Sequence, residues 1–131
     1  VIAFGGSIHG TYYNIKQFQD WAKYPLLVAA DYERGLGQWM GGGTLFPTNM
    51  ALAATGDEQL AYEQGKITAL EARALGVHIT FSPVLDVNSN PENPIIGNRS
   101  FGEDPKRVSD LGIQYMKGLQ TLIHYLIRDP R

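Results

Sequence analysis

The segment Leu26-Leu-Val-Ala-Ala30 constrains the fold more than any other stretch. Every position is apolar, so no solvated face alternates with a buried one. That pattern predicts a strand covered on both sides, as in a parallel sheet. The run stops abruptly in polar residues, Asp31-Tyr-Glu33-Arg34-Gly35. Val1 to Phe4 is a second apolar run, halted by Gly5-Gly6, and reads as another buried strand. Val77 to Leu85 is a third, although Pro83 argues against its last part. It leads into Asp86-Val-Asn88-Ser-Asn90-Pro-Glu-Asn-Pro94, a turn-rich loop.

Helical patterns separate and follow these strands. Thr11 to Lys23 places Tyr12, Ile15, Phe18, Trp21 and Ala22 on one face, and Pro25 closes the segment. Thr55 with Glu58 resembles a capping box. The helix it would start runs to about Leu75, with Leu60, Ile67, Leu70 and Ala74 as its stripe and Gly76 as its C-cap. Asp104-Pro105 predicts an N-cap and first residue for a third helix, buried along Val108, Leu111, Tyr115 and Leu119. Tyr12, Trp21, Tyr62 and Tyr115 are read as core packing. Residues 35–49, rich in glycine, read as loop. Strand and helix therefore alternate, which predicts an α/β chain of parallel strands with crossover helices, roughly three βα units. Doubly wound sheets and (β/α)8 barrels both satisfy that order.

Composition removes several functions. Eleven basic and thirteen acidic residues give a net charge of −2, so no basic excess exists to neutralise nucleic-acid phosphates. No apolar run approaches the ~18 residues of a membrane span. The absence of cysteine excludes disulfides, thiolate metal sites and a cysteine nucleophile. The fifteen glycines build no phosphate loop, because Gly35 to Gly43 lacks a Gly-Lys-Ser/Thr ending and Gly5-Gly6-Ser7 lacks the third glycine. No cofactor is expected.

Polar residues gather after the strands, where α/β folds place ligands. Asp31 stands with Glu33 and Arg34, Asp86 with Asn88 and Asn90, and Arg99 opens Arg-Ser-Phe-Gly-Glu-Asp-Pro105. A carboxylate accepts hydrogen bonds from vicinal hydroxyls and a guanidinium donates a fork of them, the chemistry of sugar recognition. Trp39, Phe46 and Phe101 are candidates for ring stacking. Asp31 is open to two readings, ligand contact or a cap on its turn. Asp86 is read as a structural Asx-turn residue. Arg99 either meets ligand or braces its loop against Glu103 or Asp104. Asp31, Glu33 and Asp86 would suit only a hard cation, with no histidine nearby in sequence. His9 follows the first strand and falls near a site, His78 is read as structural, and His124 is uninformative. Asn98-Arg99-Ser100 is a weak glycosylation triplet.

Three stretches carry a family resemblance. They are Pro25-Leu-Leu-Val-Ala-Ala-Asp31-Tyr-Glu33-Arg-Gly35, Thr44-Leu-Phe-Pro47 with Asn49-Met-Ala-Leu-Ala-Ala-Thr, and Phe81-Ser-Pro-Val-Leu-Asp86-Val-Asn88 through Arg99-Ser-Phe-Gly-Glu-Asp-Pro105. Residues 1–120 resemble the N-terminal barrel domain of glycoside hydrolase family 3, in its bacterial β-N-acetylglucosaminidase (β-hexosaminidase) branch. The resemblance implies a partial (β/α)8 TIM-type barrel and retaining hydrolysis of terminal β-linked N-acetylglucosamine. A β-glucosidase of the same family and a non-catalytic sugar-binding module are the alternatives. It also implies that Asp31 and Arg99 bind the sugar's hydroxyls, and that Asp86 shapes its loop. Arg34 departs from the family pattern, standing where a glycine is common, as does Gly97-Asn98 before Arg99. The histidine segment of the acid/base and the strand of the nucleophile have no counterpart here, so no catalytic residue is expected. Residues 121–131 match nothing in the family, and His124 and Asp129 are not read as a dyad. An eight-unit barrel needs about 250 residues, so the expectation is a fragment, inactive alone, whose open barrel edge invites self-association.

Overall fold

The computed structural model describes residues 1–128, with side chains through Thr121. Three short parallel strands, β1 (Ile2–Ala3), β3 (Ala29–Ala30) and β5 (Ile79–Thr80), form one sheet in the order β1-β3-β5. Ile2 pairs with Ala29, and Ala29 with Ile79. Between them run α1 (Ile8–Trp21), α2 (Asn49–Ala54) and α3 (Glu58–Ala74), and α4 (Pro105–Arg128) follows. The chain is thus α/β with crossover helices and the layering of a partial barrel. A second parallel pair joins β2 (Gly6–Ser7) to β4 (Met40–Gly41), so the glycine-rich segment read as loop contains a strand. No helix among the described residues is long and apolar enough to cross a membrane.

Local signals explain most boundaries. Ser7 caps α1, its Oγ accepting from the Gly10 amide at 3.1 Å, so the helix starts three residues earlier than its apolar face suggests. The expected capping box of α3 is not formed. Thr55 instead closes α2, its hydroxyl donating to the Leu52 carbonyl, and Asp57 caps α3 through the Gln59 amide. α2 is a helix beyond those the sequence pattern predicts, and Thr48 caps it through the Ala51 amide. Gly76 behaves as expected. With φ of +87° its amide meets the Arg73 carbonyl and that of Val77 meets Ala72, a Schellman closure. Asp104 and Pro105 start α4, with Asp104 accepting from the Lys106 amide.

Two cores follow. Ile15, Val28, Ala30, Tyr32, Leu36, Met40, Ala72, Leu75 and Val77 fill the space between sheet and helices. Leu52, Ala53, Ala61, Phe101, Val108, Leu111 and Tyr115 join α2, α3 and α4. The stripe expected for α4 is correct, but that of α3 is not. Leu60 and Leu70 are exposed, while Ala61, Gln64, Gly65, Thr68, Ala69 and Ala72 are buried. Small residues face α4 because the backbones nearly touch there. In α1 only Ile15 is buried, and Tyr12 and Trp21 are exposed rather than core. β1 is also not a buried strand, since it is an outer strand with one neighbour and leaves Val1, Ile2 and Phe4 exposed. Burial on both faces holds in the central strand for Val28 to Ala30 but not for Leu27.

Candidate functional site

Asp31 is the first residue past β3, and the turn after it is held from below. The Gly35 amide donates to the Tyr32 carbonyl. Gly35 has φ of +79°, and a Cβ there would press on the Thr44 carbonyl and the Phe46 ring, so only glycine fits. Two donors fix the intervening backbone from the helices. Gln64 Nε2 on α3 meets the Glu33 carbonyl at 3.1 Å, and the Tyr115 hydroxyl on α4 meets the Tyr32 carbonyl at 3.3 Å. Arg34, the departure from the family pattern, braces the next loop by donating from Nε to the Phe46 carbonyl. Thr44 is tied to α3 by its amide and hydroxyl, both donating to the Glu71 carboxylate.

Arg99 arrives from a loop built on side-chain turns. Asn90 and Asn93 accept from following amides, and Ser100, fully buried, bonds the Asp86 and Gly102 backbone. The Asx turns thus fall to Asn90 and Asn93, whereas Asp86 is exposed and contributes its carbonyl. Asn49, at the start of α2, donates from Nδ2 to the Arg99 carbonyl at 2.7 Å.

The structure brings Asp31 and Arg99 together. Both line one cavity of about 330 Å3, with Glu33, Trp39, Asn49 and Asn98. The brace on Arg99 comes from neither Glu103 nor Asp104. Glu33 takes Nε at 2.9 Å on one oxygen and Nη2 on the other, while Nη1 donates to the Ile95 carbonyl at 3.2 Å. Of five guanidinium N–H groups, three are engaged in this way, leaving one on each terminal nitrogen. Asp31 differs. Its Oδ1 is buried with no hydrogen-bond partner among the described residues, and so is Oδ1 of Asn49. Burial first, and the Glu33 charge second, push the Asp31 carboxyl above its ordinary value, with Arg99 opposing. The bond to Glu33 holds the Arg99 guanidinium more firmly protonated.

Of the stacking candidates, Trp39 lines the cavity and is 46% exposed. Phe101 is in the core, and Phe46 lies over Gly35. His78 is structural, its Nδ1 accepting from the Val28 amide, and His9 is an exposed residue of α1. Among the described residues no group of three or more His, Asp or Glu could hold a metal. Asp129 and the side chain of His124 lie outside the described residues. Sequence reasoning missed Glu33 and Asn49 as the groups that hold Arg99. Glu33 could have been suspected from its place two residues after Asp31, but its partner is 66 residues away.

Parallel strands, crossover helices and a polar cavity beyond the C-terminus of the central strand define part of a (β/α)8-barrel domain. The chain belongs to glycosyl hydrolase family 3, whose N terminal domain matches residues 8–124. It is 38% identical over 107 residues to a beta-N-acetylglucosaminidase/beta-glucosidase of Cellulomonas fimi, covering 82% of this chain and 19% of that protein. It is similar to the structure of a family 3 beta-N-acetylglucosaminidase from Paenibacillus, with TM-score 0.84, 38% identity and coverage of 91% and 24% of the two chains. Against the beta-glucoside phosphorylase BglX the TM-score is 0.87 at 35% identity, covering 92% and 22%. The chain therefore spans about a fifth of the length of these relatives.

Proposed function

We infer that this chain supplies the sugar-binding part of a retaining glycosidase that removes terminal β-linked N-acetylglucosamine. One observation carries the reading. A buried carboxylate oxygen without a donor, on Asp31, shares a cavity with a guanidinium that keeps two N–H groups free. Vicinal hydroxyls match that pair, donating to the carboxylate and accepting from the guanidinium. The Trp39 face at the cavity wall suits the apolar side of a pyranose ring. The names of the Cellulomonas and Paenibacillus relatives support N-acetylglucosamine as the sugar. Retaining hydrolysis also needs a nucleophile and an acid/base flanking the bond, and this reading assigns neither to a residue of this chain.

The test is kinetic and uses the full-length protein with chromogenic β-N-acetylglucosaminide and β-glucoside. Asp31→Asn should lower kcat/KM on the order of 10²-fold, as for a lost site hydrogen bond to a charged group. Unchanged kinetics reject the assignment of Asp31. Faster turnover of the glucoside moves the reading to a β-glucosidase, which the dual name of the Cellulomonas relative supports. The exposed Ile79 and Phe81 on and beside the outer strand β5 support a second property, self-association through that edge. A melting midpoint that does not move with protein concentration rejects it.

A further inference from the structure

Two carboxylates and two guanidiniums line the same cavity, and that of Arg99 is bound to only one of the carboxylates. Glu33 is the partner, with 7% of its side chain exposed, and both its oxygens are occupied by Arg99. Each Glu33 oxygen already accepts one guanidinium N–H, and the side chain is nearly buried. Asp31, the other carboxylate, keeps a buried oxygen without a donor. The arrangement is fixed at both ends. Gln64 pins the Glu33 backbone, and Asn49 pins that of Arg99. Arg34, the other cation at the cavity, is engaged with the Phe46 carbonyl, and Asp86 acts on Arg99 only as a weaker, exposed charge.

We propose that Glu33 is a positioning residue that keeps Arg99 from pairing with Asp31, so that both remain available to one sugar. The argument is one of competition. A guanidinium beside two carboxylates binds the one that offers a two-point fork. Without that fork, Asp31 is the remaining carboxylate lining the cavity, and pairing with it would fill the acceptor and the free N–H groups together. Glu33 thus preserves a vacant donor–acceptor pair that would otherwise neutralise itself. The inference rests on the sugar-binding reading above, and goes beyond it by giving a role to a residue that touches no substrate.

The experiment is a double-mutant cycle in the full-length protein, with N-acetylglucosamine and methyl β-glucoside as calorimetric probes. Glu33→Gln should weaken binding of the preferred sugar by about tenfold or more, whereas in an Arg99→Lys background the same change should cost less than about threefold, since coupled residues are not additive. A carbon-13 titration of the Asp31 carboxyl should show its pKa falling in Glu33→Gln, because a like charge leaves and a guanidinium arrives. Loss of the Glu33 charge alone gives part of that fall. A residue that only braced the loop would therefore give the same fall in an Arg99→Gln background, where no guanidinium can arrive, and equal falls in the two backgrounds overturn the proposal. Additive losses, or an Asp31 titration that stays in place, overturn the proposal while the sugar reading stands. If the unsubstituted protein binds neither probe, the reading fails and the proposal with it. Should Glu33→Gln not fold, Glu33→Asp retains the charge but withdraws the fork. It should give a smaller loss of the same kind, and binding equal to the unsubstituted protein overturns the proposal.

Discussion

Gly65→Ala tests whether the cavity depends on how closely α3 and α4 approach. A methyl group at Gly65 would stand closer than 3.0 Å to the Tyr115 carbonyl oxygen and 3.1 Å from the Leu119 amide nitrogen. Both obstacles are backbone of the opposite helix, which no change of rotamer removes. From the other side, a methyl at Gly118 would meet the Tyr62 carbonyl and lie 2.8 Å from the Lys66 nitrogen. The helices must therefore part by on the order of 1 Å, a disturbance that costs an overpacked core about 1–3 kcal/mol. Alanine's better helix propensity offsets about 1 kcal/mol of this, leaving a net loss of up to about 2 kcal/mol. The same separation moves Gln64 and the Tyr115 hydroxyl, which hold the Glu33 and Tyr32 carbonyls beside Asp31. Urea unfolding reads the first effect and N-acetylglucosamine affinity the second, and both should fall. Gly41→Ala is the control, since a methyl there meets nothing within 4 Å. Equal stability of the two variants would refute the argument from helix approach.

Three further outcomes follow from single groups. Asp31→Asn should stabilise the fold at pH 7 while weakening sugar binding. Burial holds the Asp31 pKa above 3.8, so the folded state binds the proton more tightly and stability falls as pH rises through that range; urea midpoints should show the gain at pH 7 and lose it below pH 3.8. His78 titrates with the opposite sign. Burial, then Arg73, hold it below 6.5, so the unfolded chain takes the proton first and stability drops as pH falls below 6.5. His78→Asn keeps an acceptor for the Val28 amide and should flatten the slope of stability between pH 7 and 5. Ser100→Ala removes a fully buried hydroxyl that bonds the backbone of Asp86 and Gly102; it should cost about 1–3 kcal/mol and broaden the Arg99 guanidinium resonances, and sharp, unshifted resonances would count against its role in carrying that loop.

How much of this was legible in the sequence depended on the range of the interaction that fixed each feature. The all-apolar run before Asp31 located the central strand because burial on both faces leaves a local signature. Gly76, Asp104 and Pro105 marked helix ends because capping is satisfied within a few residues. The stripe of α3 is hidden in the sequence because its large apolar residues do not lie on the buried face. The contact with α4 uses Ala61, Gly65, Thr68, Ala69 and Ala72, which recur at helical spacing but carry little hydrophobic signal. Their value is shape, since they let two backbones meet, and shape is visible only once the partner helix is in place. The site divides in the same way. Asp31 could be named because it follows a strand whose end the sequence marks, and Arg99 because its Arg-Ser-Phe-Gly-Glu-Asp-Pro stretch carries the family resemblance. Glu33 could not be assigned its role, because its pairing with Arg99 spans 66 residues and is decided by which of two neighbouring carboxylates turns toward the guanidinium. That choice leaves Asp31 vacant, and a vacant buried carboxylate oxygen is costly unless something donates to it. The cost is what makes a hydroxyl-bearing ligand the expected occupant. A chain selected for stability alone would have placed an amide, or a donor, at position 31.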